Sequence, residues 1–509
     1  MAEVDKILEE FLSLQKEAEW RSHAIKILSY DMETAAPEGG REDDSNDMNR
    51  LGSDIIALER KSYRLLDELK GKDLSSLDPY TKRFLVLAER EKEAKEKIPA
   101  SLEEEADALF NSSYITWLKA KQDNNFEEFK PSLKKIAEME QKLVSLREPG
   151  CKEPYDVLFS DYEYGFTTKD LDPFFEEVEK TVVPLLKTVR KSSYVPRHDF
   201  LSRPVPIAKQ EKFTTFLLTF NGFDFKRGSV STTEHPFTEQ FGKDDVRVTT
   251  KYSETAFVSN MYSIIHEGGH ALFGQNIPAE TFSSHLGEGS LTMAKHESVS
   301  RFYENVIGRS RAYIHAIYPH FHELFKEEMG DVSEEDLYEG VNYIDLENRL
   351  RTEADELTYS LHIIIRYRLE KEMMKNPNLD FDAIRKEWNS LYQQLLGIEV
   401  RNDREGILQD VHWASGFGYF PTYSLGNALN ILYFDKMNES MDVYQEVADG
   451  HMDKILSYLR ENVFASAPLK DTKEWIKDIS GKEFSATPYC RYLKKKFMDL
   501  YHLREEDLQ

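Results

Sequence analysis

The chain has 509 residues, 40% hydrophobic and 12% aromatic, enough apolar surface for a large core and a length that allows roughly two to four domains without demanding them. A formal net charge of −26 argues against nucleic acid and against an anionic membrane surface as partners. Cys151 and Cys490 are the only cysteines, so no disulfide framework is implied; MAEVDKILEEF lacks the basic start and apolar core of a signal peptide, no apolar run could span a bilayer, and a cytoplasmic protein is expected.

Residues 3–31 read as a long amphipathic helix with Val4, Ile7, Leu8 and Phe11 on one stripe, ended by the Pro and Gly of APEGG (36–40). A second helical stretch covers 45–70. The run EREKEAKEK (89–97) alternates in charge and reads as a solvated helix face in preference to a partner surface. Helical periodicity resumes over 100–146 and from Thr168 to about Val189. The texture changes over 195–252, where Pro196, Pro204, Pro206, Gly222, Gly228 and Pro236 gather. There VRVTTKY sets Val246, Val248, Thr250 and Tyr252 in alternation with Arg247, Thr249 and Lys251, which is a strand signal. A short strand or hairpin at this point is an edge to which an extended peptide can add; the plainer reading is a connecting hairpin.

SIIHEGGHALFG (263–274) follows, inside a segment that is apolar almost all round and fits a buried helix. His266 and His270 are four apart, so on a helix they share one face and their rings can converge on one metal ion. Glu267 is placed to hold a catalytic water and take its proton. Gly268 and Gly269 each cost a helix about 1 kcal/mol relative to alanine, which points to a neighbouring backbone or a substrate lying close. The bland alternative is a pair of satisfied core histidines.

A loop with Gly287 and Gly289 comes next, then a helix from about 294 with Val299, Phe302, Tyr303 and Val306 as its buried stripe. Helices continue to the end, with Leu357, Leu361, Ile364 and Ile365 in one and Met452, Ile455, Leu456 and Leu459 in another. GFGYFPTYSLGN (416–427), rich in Gly and aromatics, reads as a loop between them. No repeat, low-complexity tract or linker interrupts the pattern. The expected fold is mainly α, a single domain over 1–509 in two lobes around a central cleft, with a small β-hairpin or sheet beside the motif helix.

A catalytic zinc takes three protein ligands and keeps one position open. Glu297 in KHESVSRFYEN (295–305) is the first candidate for the third, with His296 and Glu304 as competitors. Two His and one Glu suit Zn²⁺, and Co²⁺ or Mn²⁺ fit the same set.

With these residues in place the chain resembles the carboxypeptidase Taq family of metal-dependent carboxypeptidases. The resemblance rests on HPF (235–237), DVRVT (245–249), HEGGH (266–270), HES (296–298), LRTEADELTY (350–359) and GILQDVHW (406–413), in family order. PYDVLFSDYE (154–163) also matches, and YDMETAAPEGG (30–40) matches with Tyr30 and Ala36 where Trp and Met are expected. The departures at Tyr30 and Ala36 put substrate-length preference in doubt more than chemistry. The resemblance implies a mostly helical fold with a deep groove, a homodimer, and removal of single residues from peptide carboxyl termini with broad side-chain tolerance. Carried onto matching positions, it makes His266, His270 and Glu297 the ligands of one divalent metal and Glu267 the general base.

That chemistry needs further groups. The oxyanion of a tetrahedral intermediate needs a donor besides the metal, and His412 and Tyr423 are the candidates. A terminal carboxylate calls for a fixed cation, best an arginine. Arg351 is the first choice and Arg247 the second, with Arg401 and Arg404 behind them; the bland reading of Arg351 is an ion pair that holds its helix. His235 either lines the groove or packs beside Pro236. Two rival readings share the metal site: an oligopeptidase that cuts inside short peptides, and a catalytically silent peptide-binding scaffold.

Overall fold

The computed structural model describes residues 2–508 apart from 285, 288, 289 and 377, so Gly289 lies outside the described residues. The chain is mainly helical with one small sheet. Helices of eight residues or more are numbered in chain order below.

Helices α1 (Ala2–Thr34) and α2 (Arg41–Leu69) form an antiparallel pair, and α3 (Pro79–Lys95) packs on them. Phe11, Leu14, Leu65, Leu66, Leu69 and Leu85 make a hydrophobic cluster of their own, apart from the main core. Asp78 caps α3 by accepting from the amides of Tyr80 and Thr81, and Pro79 occupies the first helical position. The alternating charges of α3 differ from the solvated face expected of them. Lys92 is only 3% exposed against Asp67, Lys70 pairs with Glu89, and Arg83 and Arg90 both reach Asp471 at 2.7 Å, tying this layer to the rest of the molecule.

Helices α4 (Ala100–Asp123) and α5 (Phe126–Arg147) split the predicted 100–146 stretch at Asn124, whose left-handed backbone (φ 53°) stops the first helix. Helix α6 (Thr168–Lys191) opens on a capping box between Thr167 and Asp170. The Pro- and Gly-rich region hides a helix, α7 (Ile207–Asn221). Pro206 precedes it and Gly222, at φ 100°, closes it: start and stop signals, not loop texture. Strands β1 (Gly228–Thr232), β2 (Thr238–Gly242) and β3 (Asp245–Thr250) follow in spatial order β1-β3-β2, with β3 antiparallel to β2 and parallel to β1. Val246 and Val248 are fully buried, and β2 and β3 pack against the motif helix α8 (Phe257–Asn276).

Helix α9 (Met293–Arg301) runs into a wide π-helical turn over Phe302–Ile307. The carboxyl-terminal half adds α10 (Arg311–Leu324), α11 (Glu334–Val341), α12 (Tyr359–Lys375), α13 (Phe381–Leu391), α14 (Pro421–Asn438), α15 (Met452–Leu459), α16 (Thr472–Ser480) and α17 (Thr487–Leu500). The 416–427 stretch expected to be a loop is helical from Pro421 onward, with Pro at the first helical position. No helix among the described residues is long and apolar enough to cross a membrane.

Candidate metal centre and cavity

Helix α8 is apolar on nearly every side, and its two motif glycines are there for packing. A Cβ on Gly269 would sit 2.7 Å from Ser300 Cα and 3.1 Å from Val299 O, so the residue lets the α9 backbone approach, one of the two roles expected of it. Gly268 instead faces a side chain, Leu218 Cδ2 at 2.8 Å from its would-be Cβ. Close contact between α8 and α9 brings Glu297 to the histidines. Glu297 Oε2 lies 3.5 Å from His266 Nε2 and 3.5 Å from His270 Nε2.

That spacing suits a metal. Ligand atoms ~2.0–2.1 Å from a tetrahedral centre stand ~3.4 Å apart. Among the described residues, His266, His270 and Glu297 are the one group of three or more His, Cys, Asp or Glu whose ligand atoms come within 4.8 Å of each other. The donor set therefore fits a divalent cation of the zinc type.

Residues behind the cluster fix it. His266 Nδ1 lies 2.8 Å from Glu304 Oε2, which keeps the proton on Nδ1 and turns the Nε2 lone pair toward Glu297. The π-helical turn carries Glu304, and such wide turns recur at functional sites. Arg301 Nε donates to Glu297 Oε1 at 2.7 Å, Arg301 Nη1 to Glu304 Oε2 at 3.0 Å, and Ser300 Oγ to Glu297 Oε2 at 3.0 Å. Burial alone would raise the pKa of Glu304, but Arg301 and His266 overcome it and hold the carboxyl down at about 2. His270 Nδ1 stands 3.4 Å from His296 Nδ1, which places His296 beside His270 and outside the three-residue cluster. Glu304, named from the sequence as a competing ligand, stands instead behind His266, and Arg301, one turn beyond Glu297 on the same helical run, is one that the sequence reading passed over.

Glu267 is held from the sheet. Thr238 Oγ1, on β2, donates to Glu267 Oε2 at 2.7 Å. Both line a cavity of about 1280 Å³ that also takes in His266, His270, Glu297, Tyr419, Thr422 and Tyr423. Its opposite wall comes from α1–α3, including Trp20, His23, Lys26, Glu59 and Phe84. The outer edge of β2 faces this space, and α1 occupies part of it: Lys26 Nζ donates to Gln240 O at 3.1 Å, and His23 Nδ1 lies 3.0 Å from Phe241 O.

The remaining expected residues divide. Tyr423 lines the cavity from the first turn of α14, and Tyr419, which the sequence reading passed over, stands beside it with ring centres 5.2 Å apart. His412 does not line the cavity; its Nε2 lies 3.3 Å from Tyr423 Oη, and burial lowers its pKa to about 4, leaving it neutral. Arg351 is also off the wall. Its Nε and Nη2 donate to Asp410 Oδ1 at 3.0 and 2.9 Å, and Nη1 donates to Tyr359 Oη at 3.1 Å. Its guanidinium lies 5.0 Å from the centre of the Tyr423 ring. Arg247 pairs with Asp245 through Nε and Nη2 at 2.9 and 2.7 Å and lies against Phe241 and Tyr30, beside a separate small cleft. His235 is exposed, whereas its neighbours Pro236 and Phe237 line the cavity.

Comparison with known proteins agrees over almost the full length. The sequence model of the family described as "Carboxypeptidase Taq (M32) metallopeptidase" matches residues 10–497. The chain is 35% identical to "Carboxypeptidase 1" of Bacillus subtilis over 506 residues, covering 98% of this chain and 100% of that one. It is 31% identical to "Thermostable carboxypeptidase 1" of Thermus thermophilus over 505 residues, 96% of this chain and 98% of the relative. Among solved structures, the M32 carboxypeptidase from Deinococcus radiodurans R1 superimposes with a TM-score of 0.91 at 31% identity, over 99% of this chain and 100% of that one.

Proposed function

The chain belongs to the carboxypeptidase Taq (M32) metallopeptidase family and is a metallocarboxypeptidase, and from that premise we propose that His266, His270 and Glu297 hold its metal and Glu267 acts as general base. The observation that carries the assignment is the three-residue cluster in which Glu297 Oε2 stands 3.5 Å from each histidine Nε2, opening with Glu267 onto one large cavity. A divalent cation bound there supplies Lewis acidity, lowering the pKa of a water and polarising the scissile carbonyl. Zn²⁺ is the proposed ion, supported by two imidazoles and one carboxylate; Co²⁺ suits the same donors.

Glu267 takes the water proton and passes it to the leaving amine nitrogen. Thr238 keeps that carboxylate aimed by bonding Oε2 at 2.7 Å. Tyr423 and Tyr419 present hydroxyls to the developing oxyanion, and burial pushes the Tyr419 phenol up to about 12, so it remains a donor through neutral pH. His412 acts at one remove, through its contact with the Tyr423 hydroxyl. For the terminal carboxylate Arg351 remains the proposal. It stands behind Tyr423 and Tyr359, and its Nη1 is held by a neutral hydroxyl that a carboxylate can displace. Arg247 is the weaker alternative because Asp245 occupies its fork, and His235 is kept only as a residue at the cavity rim. An extended peptide is read as lying along the part of the β2 edge near Thr238, short of the stretch that Lys26 and His23 occupy.

We take the chain as one domain whose α1–α3 layer and main body form two lobes around the cavity, supported by the separate hydrophobic cluster of that layer. A cytoplasmic location is supported by two free thiols, Cys151 and Cys490. A homodimer is proposed from family membership alone.

One short peptide and its carboxyl-terminally amidated twin, incubated with the metal-loaded protein and followed by mass, test the reading. Stepwise loss of single residues from the free acid alone, abolished by chelation, is the expected result. Equal internal cutting of both peptides would replace it with an oligopeptidase, and no cutting of either would favour a silent scaffold.

A further inference from the structure

Of the cavity tyrosines, Tyr419 hangs from a loop that is held from below, and Tyr423 sits in the first turn of the helix that this loop enters. Residues 412–414 form a single 3₁₀ turn, and residues 416–420 lead into α14. Two of these positions need glycine. Gly416 (φ 112°) would set a Cβ 2.3 Å from Glu140 Oε1, and Gly418 (φ 101°) would set one 3.2 Å from the Tyr162 ring and 3.3 Å from the Leu158 backbone. A backbone this constrained has one place to lie, and the groups that define that place are buried carboxylates.

Glu370, on α12, is 1% exposed. Its Oε1 accepts from Trp413 Nε1 at 2.9 Å, and its Oε2 accepts from Tyr155 Oη at 2.9 Å and from the Gly418 amide at 3.1 Å. Glu370 thus holds both ends of the loop, the 3₁₀ turn through Trp413 and the residue directly before Tyr419 through its amide. Three donors satisfy a carboxylate better than any neutral side chain of that size, since both oxygens accept and neither must donate. Burial raises its pKa to about 7, against the pull of Trp413, Tyr155, the Gly418 amide and Arg366. The same segment is gripped upstream, where Asp410 accepts from Arg351 and Arg366.

We propose that Glu370 is a positioning residue of the peptidase reaction: by binding Trp413 and the Gly418 amide it sets where the Tyr419 and Tyr423 hydroxyls stand relative to His266, His270 and Glu297. The proposal rests on the reading of those tyrosines as the substrate-facing donors. Glu370 itself does not line the cavity, so it acts only through the loop. The bland alternative is a satisfied buried carboxylate whose loss destabilises the whole fold.

Full-length, metal-loaded Glu370→Gln, Tyr419→Phe and Tyr423→Phe, with the two double variants, are assayed for kcat and KM on a free-acid peptide, alongside metal content and Tm. Glu370→Gln turns an amide N–H toward one of the three donors and displaces the loop. A misplacement of ~1 Å costs up to ~10²-fold, so a kcat lower by about 10-fold is expected, with metal content and KM within about twofold. Adding Glu370→Gln to either tyrosine variant should then cost clearly less than the ~10-fold of the single variant, because one of the two hydroxyls it positions is already gone. Losses that multiply in the double variants, or a fall in kcat that only follows loss of metal, would overturn the positioning role and leave the tyrosine reading standing. Unchanged kcat in both tyrosine variants would overturn that reading and the Glu370 role with it. If Glu370→Gln fails to fold, Trp413→Phe removes one donor while keeping a ring, and the same non-additive pattern, from a smaller single loss, is required of it.

Discussion

Glu304 stands behind the metal-ligand cluster: its Oε2 lies 2.8 Å from His266 Nδ1 and takes a bond from Arg301 Nη1 at 3.0 Å. Glu267 is nearer the chemistry, held by Thr238 with its carboxylate on the cavity wall. The two acids should therefore separate cleanly in experiment. Glu304→Gln removes the charge that orients His266 and should weaken metal affinity by about 10-fold, the lower end for such outer partners. Glu267→Gln should leave affinity unchanged and lower kcat by ~10²–10⁴, the usual worth of a general base. Metal titration and steady-state kinetics on both variants check this; a Glu267→Gln protein that binds metal poorly would mean that Glu267 is part of the binding set. The two histidines were legible in the sequence because a spacing of four on a helix is local geometry, whereas Glu297, on another helix, was set apart from His296 and Glu304 only by the family resemblance. Arg351 was legible only as a residue type, since Asp410, which takes two of its guanidinium nitrogens, lies far along the chain.

Between elements, the site depends on how closely helices approach. Helix α14 meets α9 at Gly426, where a Cβ would fall 2.7 Å from Glu297 Cγ, 2.8 Å from Glu297 Cβ and 2.9 Å from Glu297 C. Nothing there is the far end of a flexible chain, so Gly426→Ala must push the two helices apart or move the metal ligand. An affinity loss of about 10-fold or more is expected, with destabilisation of the ~1–3 kcal/mol typical of overpacking. Gly52→Ala, in α2 with nothing within 4 Å of its would-be Cβ, is the control, and should gain roughly 0.5–1 kcal/mol of stability. Equal behaviour of the two variants in denaturation and metal titration would show that the approach of α14 is not what seats Glu297. The same glycine explains why part of this region was misread. GFGYFPTYSLGN carries the composition of a loop, yet Pro421 begins a helix and Gly426 is a packing residue inside it. Helix α7 was missed for a related reason, its Pro206 and Gly222 having been counted as loop residues when they bracket a helix. Strand β3 was readable because alternation is a short-range pattern, whereas its pairing with β1 and β2, and the α1 side chains on the β2 edge, depend on contacts that sequence spacing does not encode.

At the scale of the whole molecule, a chain of net charge −26 keeps two carboxyls buried beneath its cavity loop. Burial pushes Glu140 up to about 8 and Glu370 to about 7, and the charge of Glu370 adds to the rise at Glu140. Asp161 also faces Glu140 and raises it further, while the Phe417 amide and Arg147 pull it down. A carboxyl whose folded pKa lies above its unfolded value binds more protons when folded, so its contribution is full below about 4.5 and is lost as pH rises through the folded value. Stability should therefore fall from about pH 4.5 to about pH 8 and level off above that, with a slope of up to ~1.4 kcal/mol per pH unit for each proton released. Overall acidity predicts a fall in the same direction, because self-repulsion grows with pH. Salt distinguishes the two causes. Repulsion between exposed charges is screened within ~3 Å at 1 M ionic strength, whereas ionisation of a group only 7% exposed is not. Urea midpoints measured from about pH 5 to about pH 9 at low and high salt should thus keep most of their slope below about pH 8 in the wild type, and Glu140→Gln, which cannot ionise, should flatten the part of the curve between about pH 7 and about pH 8. If high salt alone removes the slope, or if Glu140→Gln leaves it unchanged, the alkaline limit belongs to the surface charge and not to the carboxyls under the loop.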